Sequence, residues 1–317
     1  MVRLAAALAL ALAAASALAQ YPSRPIRVLI PQPPGGANDT VARIIAPPLG
    51  DALGQPIVIE NRPGANGNVA MEIAAKAPAD GYTLLLAADA QIVINPHFYR
   101  DLPFDTLKDL SPVASLINTQ MVLAVNPSLP VNTLPEFIEY ARRANPPLAY
   151  GSIGNGSQHH LVMEMLKQRA DIDLLHVPFK GGGPATTALL AGEIAAAFGG
   201  NSVTGHVRAG KLRALAVAGK QRSAAFPDVP RLAEFFPGFE VTPWLALFAP
   251  AGVPPAVMSK LRDATNRLLT EPQVSERIRR VGGLEPYVST PEEFAALLRA
   301  EYARYAEIVK AVGAKID

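Results

Sequence analysis

The stretch IRVLIPQPPGGANDTVARIIAPPL, residues 26–49, decides how this chain is read. Its first five residues, IRVLI, are apolar but for Arg27, and three of them are β-branched, the signature of a short buried strand. Pro31, Pro33 and Pro34 end that strand, and Gly35 and Gly36 form a turn that glycine takes at little steric cost. Asn38 or Asp39 is placed to cap a helix, because Val41, Ile44, Ile45 and Leu49 follow at helical spacing. Strand, glycine turn and helix start together aim unpaired N–H groups and the positive end of a helix dipole at one point, a setting for a carboxylate or phosphate. An ordinary strand-to-helix connection has the same local signature, so the rest of the chain has to decide.

Outward from that stretch, the pattern alternates. Residues 56–60 and 82–87 read as strands, and residues 69–77 as the helix between them. Strands alternating with helices predict a parallel sheet in an α/β domain. Residues 95–112 are irregular, and 114–125 form one apolar, strand-like run. A helix is expected over 134–144 and strands at 148–150, 175–178 and 211–218. Residues 241–250 are apolar and extended, and helices are expected over 257–269, 273–281 and 292–312. The opening device recurs twice: residues 151–157 and 181–183 are also glycine-rich turns between a strand and a helix. No clean linker separates two halves.

Composition narrows the function. Of 317 residues, half are hydrophobic and 18% are charged, which suits a globular chain long enough for two domains. The N-terminus has Arg3, an Ala/Leu run over residues 4–18 and the small-residue site Ala17-Leu18-Ala19, a signal peptide with cleavage expected after Ala19. An uncut anchor is the alternative. The chain has no cysteine, so thiol catalysis, disulfides and thiolate metal sites are excluded. After cleavage 28 basic residues face 27 acidic ones, with no basic run of the kind that marks a nucleic-acid partner.

Catalytic and cofactor motifs fit poorly. Gly154-Asn155-Gly156 is followed by His159 where a dinucleotide fingerprint needs a small residue, and Lys180 precedes its glycines, the reverse of a P-loop. Ser152 lacks the first glycine of a nucleophile elbow, since Ala149 stands there. Ser157 lies near His159 and His160, but a helix cap explains it better than a nucleophile does. His97, His159, His160, His176 and His206 show no metal-ligand spacing. Neither a cofactor nor a metal is expected.

Eight strings, in order, carry a resemblance: PPGGANDTVAR, ENRPGANGNVA, ADGYTLLL, NPHFYRDLPFD, YGSIGNGSQHHL, HVPFKGGGPA, GKLRALAV and WLALFAP. The chain resembles the substrate-binding proteins of tripartite tricarboxylate transporters, the Bug or TctC-type periplasmic receptors, over essentially its whole mature length. The resemblance implies an α/β, two-lobed periplasmic-binding-protein fold of type II character. Each lobe would be a mainly parallel sheet flanked by helices, with two crossing strands near residues 115–126 and 239–250. Lobe one would hold residues 20–120 and 245–317, and lobe two residues 121–244. The implied function is capture of a small organic acid without chemistry, by a monomer that delivers it to membrane transporter subunits. A receptor feeding a sensor kinase, or a hydrolase built on Ser152 or Ser157, are the alternatives.

Carried over by resemblance, the ligand site comprises Gly35, Gly36 and Asp39, with Asn66, Ala88 and Asp89 at the cleft edge. Ser152, Gly154, Asn155, Gly156, Ser157, His160, Phe179, Lys180 and Gly181 face them from the second lobe. Phe179 replaces the family's usual Tyr and Arg231 a usual Thr. Asp89 stands where a small neutral residue is usual: facing the cleft it would pair with a ligand ammonium, and otherwise it is a solvated loop residue.

Overall fold

The computed structural model describes residues 21–223 and 225–312; the expected signal peptide lies outside them. The strands sort into two sheets. Strands β1 (Ile26–Ile30), β2 (Ile57–Asn61), β3 (Thr83–Ala88), β4 (Leu110–Thr119), β10 (Trp244–Pro250) and β11 (Leu284–Pro286) form a six-stranded sheet in the order β11-β4-β10-β3-β1-β2. Strands β5 (Val122–Val125), β6 (Leu148–Ser152), β7 (Leu174–Pro178), β8 (Ala196–Gly199) and β9 (Arg213–Val217) form a five-stranded sheet in the order β7-β6-β8-β5-β9. Helices cover both: α1 (Ala37–Leu53), α2 (Asn68–Ala75), α3 (Asn95–Phe98), α4 (Leu134–Arg143), α5 (Gln158–Ala170), α6 (Gly182–Ala191), α7 (Asn201–Arg208), α8 (Pro255–Thr270), α9 (Pro272–Arg280) and α10 (Pro291–Val312). The architecture is the two-lobed α/β arrangement expected.

Two details differ from the reading above. The sheets are mixed, not mainly parallel: β1 pairs in parallel with β2 and β3, but β10 runs antiparallel to both β3 and β4. In the second sheet, β6 is parallel to β7 and β8, whereas β5 is antiparallel to β8 and β9. The reversed strands adjoin the passages between sheets, so their direction follows the passage and not a local βαβ unit.

The second difference is in the apolar run at 114–125, which is two strands in two sheets. Thr119 N–H donates to Pro243 O (2.7 Å) and Gln120 N–H to Gly283 O (2.9 Å), both bonds to the first-sheet side. One residue later Met121 O accepts from Ala218 N–H (2.9 Å), and Val241 N–H donates to Ala218 O (2.8 Å) on the second-sheet side. The chain therefore changes sheets within Gln120–Met121, and again between Val241 and Trp244. An apolar pattern cannot mark this change, because the residues are buried on both sides of it.

Side-chain alternation fixes the cores. Ile26, Val28 and Ile30 face α1, where Val41, Ile44, Ile45 and Leu49 meet them, with Leu261 and Leu268 of α8 in the same cluster. Leu29 points to the other face, into a cluster with Met71, Trp244, Phe294 and Tyr305. In the second sheet Leu123 and Val125 pack with Phe137, Val162 and Leu166, and Val122 and Ala124 with Leu189 and Val203. Leu161 of α5 is buried in the first sheet's second cluster, so this helix packs against both halves. Among the described residues no helix is long and apolar enough to cross a membrane.

Gly81 shows how tightly the first sheet's outer corner is packed. Its φ is +81°, and a Cβ there would lie 2.5 Å from Val257 Cγ1 and 2.9 Å from the Tyr21 hydroxyl. That hydroxyl donates to Gly81 O at 2.7 Å. Gly81→Ala combines a disfavoured φ with overpacking and should cost about 2–4 kcal/mol. A drop in the urea midpoint without a change of slope checks it; an unchanged midpoint would mean that the corner yields.

Candidate functional site

The first glycine turn is organised by Asp39, though not as an N-cap. Gly36 occupies that position, in extended geometry and with no side-chain cap. Asp39, only 3% exposed, turns back from the first helical turn. Its Oδ2 accepts from Gly35 N–H (2.9 Å) and Arg43 Nε (2.9 Å), and its Oδ1 accepts from Asn61 Nδ2 (3.0 Å). Asn61 Nδ2 also donates to Gln32 O at 3.0 Å, tying the turn to the end of β2. Burial alone would raise the Asp39 pKa; the bonds from Arg43, Gly35 and Asn61 outweigh it and hold the carboxylate below its usual range. The Gly35 N–H is thereby committed to Asp39. The N–H groups of Ala37, Asn38 and Asp39 have no acceptor among the described residues, and these are the turn's open donors.

A second loop is fastened beside that turn. Asn66 adopts a left-handed conformation (φ +55°), and its Nδ2 donates to Asn95 Oδ1 at 2.7 Å. Asn66 O accepts from Asn95 Nδ2 (3.1 Å) and Gln91 Nε2 (3.4 Å), while Gln91 Oε1 accepts from Ala88 N–H (3.0 Å). Gln91 and Asn95 thus clamp Asn66 and Ala88 together, a role that sequence reading missed. Gly67 lets the loop approach: a Cβ there would lie 2.8 Å from Pro31 Cβ and 2.9 Å from Gln91 Cγ. The turn after β1, the 65–67 turn and the 88–91 turn are therefore in contact.

Asp89 is neither a solvated loop residue nor a free carboxylate. It is 1% exposed. Its Oδ1 accepts from Ala90 N–H (2.8 Å), and its Oδ2 accepts from Nε2 of Gln158, the first residue of α5 from the other sheet. Gln158 Nε2 also donates to the Tyr305 hydroxyl at 3.2 Å, and nearby Glu301 accepts from Trp244 Nε1 at 2.6 Å. Burial, reinforced by Glu301, pushes the Asp89 pKa well above the usual carboxylate range, against the bonds from Ala90 and Gln158 and the charge of Arg304. This contact joins the first sheet's turns to the second sheet's.

The second turn follows directly. Gly154 (φ +130°) and Gly156 (φ +71°) supply backbone that other residues rarely adopt. Ser157 caps α5 as expected: its Oγ accepts from His160 N–H (3.3 Å) and donates to Gly154 O (2.7 Å). Gly156 N–H donates to His160 Nδ1 at 3.2 Å. Ser152 Oγ accepts from Gly154 N–H (3.1 Å) and lies 2.7 Å from Nε2 of His176, a partner that sequence reading did not assign. The third turn is alongside, because Phe179 N–H donates to Ser152 O (3.0 Å). Gly151 allows that approach: a Cβ there would lie 2.4 Å from Ile194 Cδ1 and 3.3 Å from Phe179 Cε2. Gly181 caps α6 with φ +117°, and Asn155 and Lys180 are exposed.

Ser152 and His176 are poorly set as a nucleophile and its base. Ser152 is 1% exposed, and burial together with neighbouring His160 lowers the pKa of its partner His176 to about 4, a weak base at neutral pH. No carboxylate bonds to His176 among the described residues, and among them no cluster of metal-ligating side chains occurs. What remains is the first turn's open backbone donors, with the second and third glycine turns joined to it through the Asp89–Gln158 contact.

The two aspartates predict opposite pH signatures. Asp39, with its native pKa lowered, contributes stability that is present above its ordinary value of 3.8 and lost as pH falls through the native value. Asp39→Asn should cost about 1–2 kcal/mol at pH 7, at the lower end for charge-assisted bonds because Arg43 is largely exposed, and should converge with the parent in acid. Asp89, with its native pKa raised, is a liability absent below 3.8 that grows as pH rises towards the native value. Asp89→Asn should therefore lose less stability than the parent between pH 4 and pH 8. Urea midpoints from about pH 2 to pH 8 check both: parallel curves below pH 4 for the Asp39 pair, or between pH 4 and pH 8 for the Asp89 pair, would refute the assignment.

Residues 41–314 match the tripartite tricarboxylate transporter family receptor. The chain is 37% identical over 299 residues to Protein BugT of Bordetella pertussis, covering 93% of this chain and 91% of that protein. The solved structure of Rhodopseudomonas palustris MatC (Rpa3494) with bound malate is 32% identical with a TM-score of 0.79, over 91% of this chain and 100% of that one. R. palustris Rpa4515 with adipate is 31% identical with a TM-score of 0.85, over 94% and 100%. From the preset turns, the fold that carries them and these matches together, the chain belongs to the tripartite tricarboxylate transporter receptor family, as a periplasmic solute-binding receptor.

Proposed function

We propose that the mature chain, cut after Ala19, captures a small dicarboxylate in the periplasm and passes it as a monomer to the membrane subunits of a tripartite transporter. The observation that carries this reading is the uncapped start of α1. Its N–H groups at Ala37, Asn38 and Asp39 are open donors, held in place by a carboxylate that is itself fully bonded. One ligand carboxylate sits on these amides. The other end meets Asn66 and Ala88 on one side, and Ser152, Gly154, Asn155, Gly156, Ser157, His160, Phe179 and Gly181 on the other. Waters bridge where direct contact fails. Lys180, exposed beside the third turn, steers anions towards the cleft.

The lobes follow the sheets, with residues 21–120 and 244–312 in one and 121–241 in the other, so that Trp244 falls in the first lobe and not, as expected, in the second, and closure about the two passages traps the ligand. A plain dicarboxylate is favoured over an amino acid, because Asp89, the one candidate partner for an ammonium, is already held by Gln158. The family neighbours named above hold malate and adipate, which supports the same class.

A thermal-shift panel of malate, adipate, citrate, aspartate and nicotinate on mature protein refolded free of ligand tests this. A ligand at about 1,000 times its dissociation constant adds about 4 kcal/mol, several degrees in melting temperature. Malate or adipate should give the largest shift, and X-ray scattering should show compaction with that ligand. A shift with aspartate alone would overturn the ligand class. No shift with any of the five would overturn the dicarboxylate reading.

A further inference from the structure

His176 belongs to no part of the site assigned so far, yet three contacts converge on it. Its Nε2 lies 2.7 Å from Ser152 Oγ. One face stacks on His160, with ring centroids 4.0 Å apart and planes within 7°. The other face stacks on Tyr150, at 4.9 Å and 20°. Tyr150 is fully buried, and its hydroxyl donates to Glu164 Oε1 at 2.6 Å; Lys167 pairs with the same carboxylate at 3.0 Å. Three rings from β6, β7 and α5 thus form one pile, anchored in the second sheet's core and ending at His160.

The outermost ring has its protons assigned by its neighbours. Gly156 N–H donates to His160 Nδ1, so Nδ1 is an acceptor and the neutral ring carries its proton on Nε2. Nε2 has no partner among the described residues, although His160 is only 7% exposed. The pile also resists charging. A cation on either ring would sit 4.0 Å from its stacked neighbour in a desolvated site. Burial lowers the pKa of both histidines. Glu164 opposes that lowering and Lys167 reinforces it, and for His176 the neighbouring His160 lowers it further.

We infer that His176 is a positioning residue of the binding site: stacked on His160 and bonded to Ser152, it holds the His160 ring neutral and oriented, with Nε2–H presented as a fixed donor to the ligand carboxylate. This rests on the carboxylate-binding reading above. An imidazole free to turn about its Cβ–Cγ bond has two tautomers and many donor directions. By stopping that rotation the pile keeps Nδ1 on the Gly156 N–H and leaves one of each, so the ordering entropy is spent in folding and not on binding. The device also keeps the number of donors constant through the neutral range, where an unrestrained histidine changes charge.

Long-range nitrogen–proton correlation spectra of mature protein labelled at histidine nitrogens test this directly. The parent should show neutral His160 solely as the Nε2–H tautomer, titrating at lower pH than a free imidazole. In His176→Ala, neutral His160 should become a tautomer mixture whose titration moves up towards that of a free imidazole, and the dissociation constants for malate and adipate should rise about tenfold, which is about 1.4 kcal/mol. His176→Phe keeps a flat ring for stacking; it should retain the His160 tautomer and lose no more than about threefold in affinity. A proton on Nδ1 of His160 in the parent would overturn the inference without any variant. So would a His176→Ala protein that melts lower but keeps the parent's tautomer, titration and affinity, since packing alone would then explain His176. Should His176→Ala fail to fold, the parent spectrum together with His176→Phe decides: loss of the single tautomer in the phenylalanine variant would sink the stacking role. If the parent binds neither malate nor adipate, the ligand class has failed, while the tautomer spectra still decide the positioning role.

Discussion

Two backbone passages, each a few residues long, set the terms for everything else in this molecule. At the first, the hydrogen bonds of Thr119 and Gln120 go to Pro243 and Gly283; by Met121 they go to Ala218. At the second, Val241 still bonds Ala218 and Trp244 already lies in the first sheet. A chain that crosses once can hang two domains loosely. One that crosses twice, side by side, restricts how its halves move relative to one another. The antiparallel strands β10 and β5 follow from these passages. The turns that follow β1, β3, β6 and β7 are joined in one chain of contacts, from Pro31 through Gly67, Gln91 and Asp89 to Gln158 and Ser152.

That convergence would create an electrostatic problem for the proposed carboxylate site, because two aspartates belong to the same group of turns. At an effective dielectric near 20, an uncompensated carboxylate about 5 Å from a ligand carboxylate would cost about 3 kcal/mol. The two are dealt with in different ways. Asp39 keeps its charge and has every oxygen occupied, by a guanidinium, a backbone N–H and an amide. Asp89 is buried so completely, beside a second acid, that its charged form is disfavoured. Bonding quenches one charge and desolvation the other, so the donors that face the cleft need not be cations.

Much of the local structure was legible. The run 26–30, the proline stop and the helical spacing of Val41, Ile44, Ile45 and Leu49 gave strand, turn and helix correctly, and Ser157 is the cap it was read to be. These features depend on residues within a turn or two of each other. What was not legible involves distance along the chain. Gln158 and Asp89 are 69 residues apart, and Ser152 and His176 are 24 apart. Each pair exists only once the sheets have placed it. Even the local error had this origin: Asp39 sits where a cap is expected, but Arg43 and Asn61 draw its carboxylate into a different geometry. The change of sheets inside the run 114–125 left no mark, because apolar periodicity reports burial and not which sheet a strand joins.

The ligand's identity was the least legible quantity of all, and the structure gives a physical reason. Where recognition is carried by backbone amides and by neutral side chains locked by their neighbours, specificity lies in the spacing of donors. Spacing is a property of the fold, and many sequences can produce it. The informative side chains are then the ones that never touch the ligand. Asp39 holds one donor set through Gly35, Gln91 and Asn95 fix the adjoining loop, and the Tyr150–His176–His160 pile orients another donor from behind. A site of this kind changes its preference when its supports shift by a fraction of an ångström, with every contacting residue unchanged.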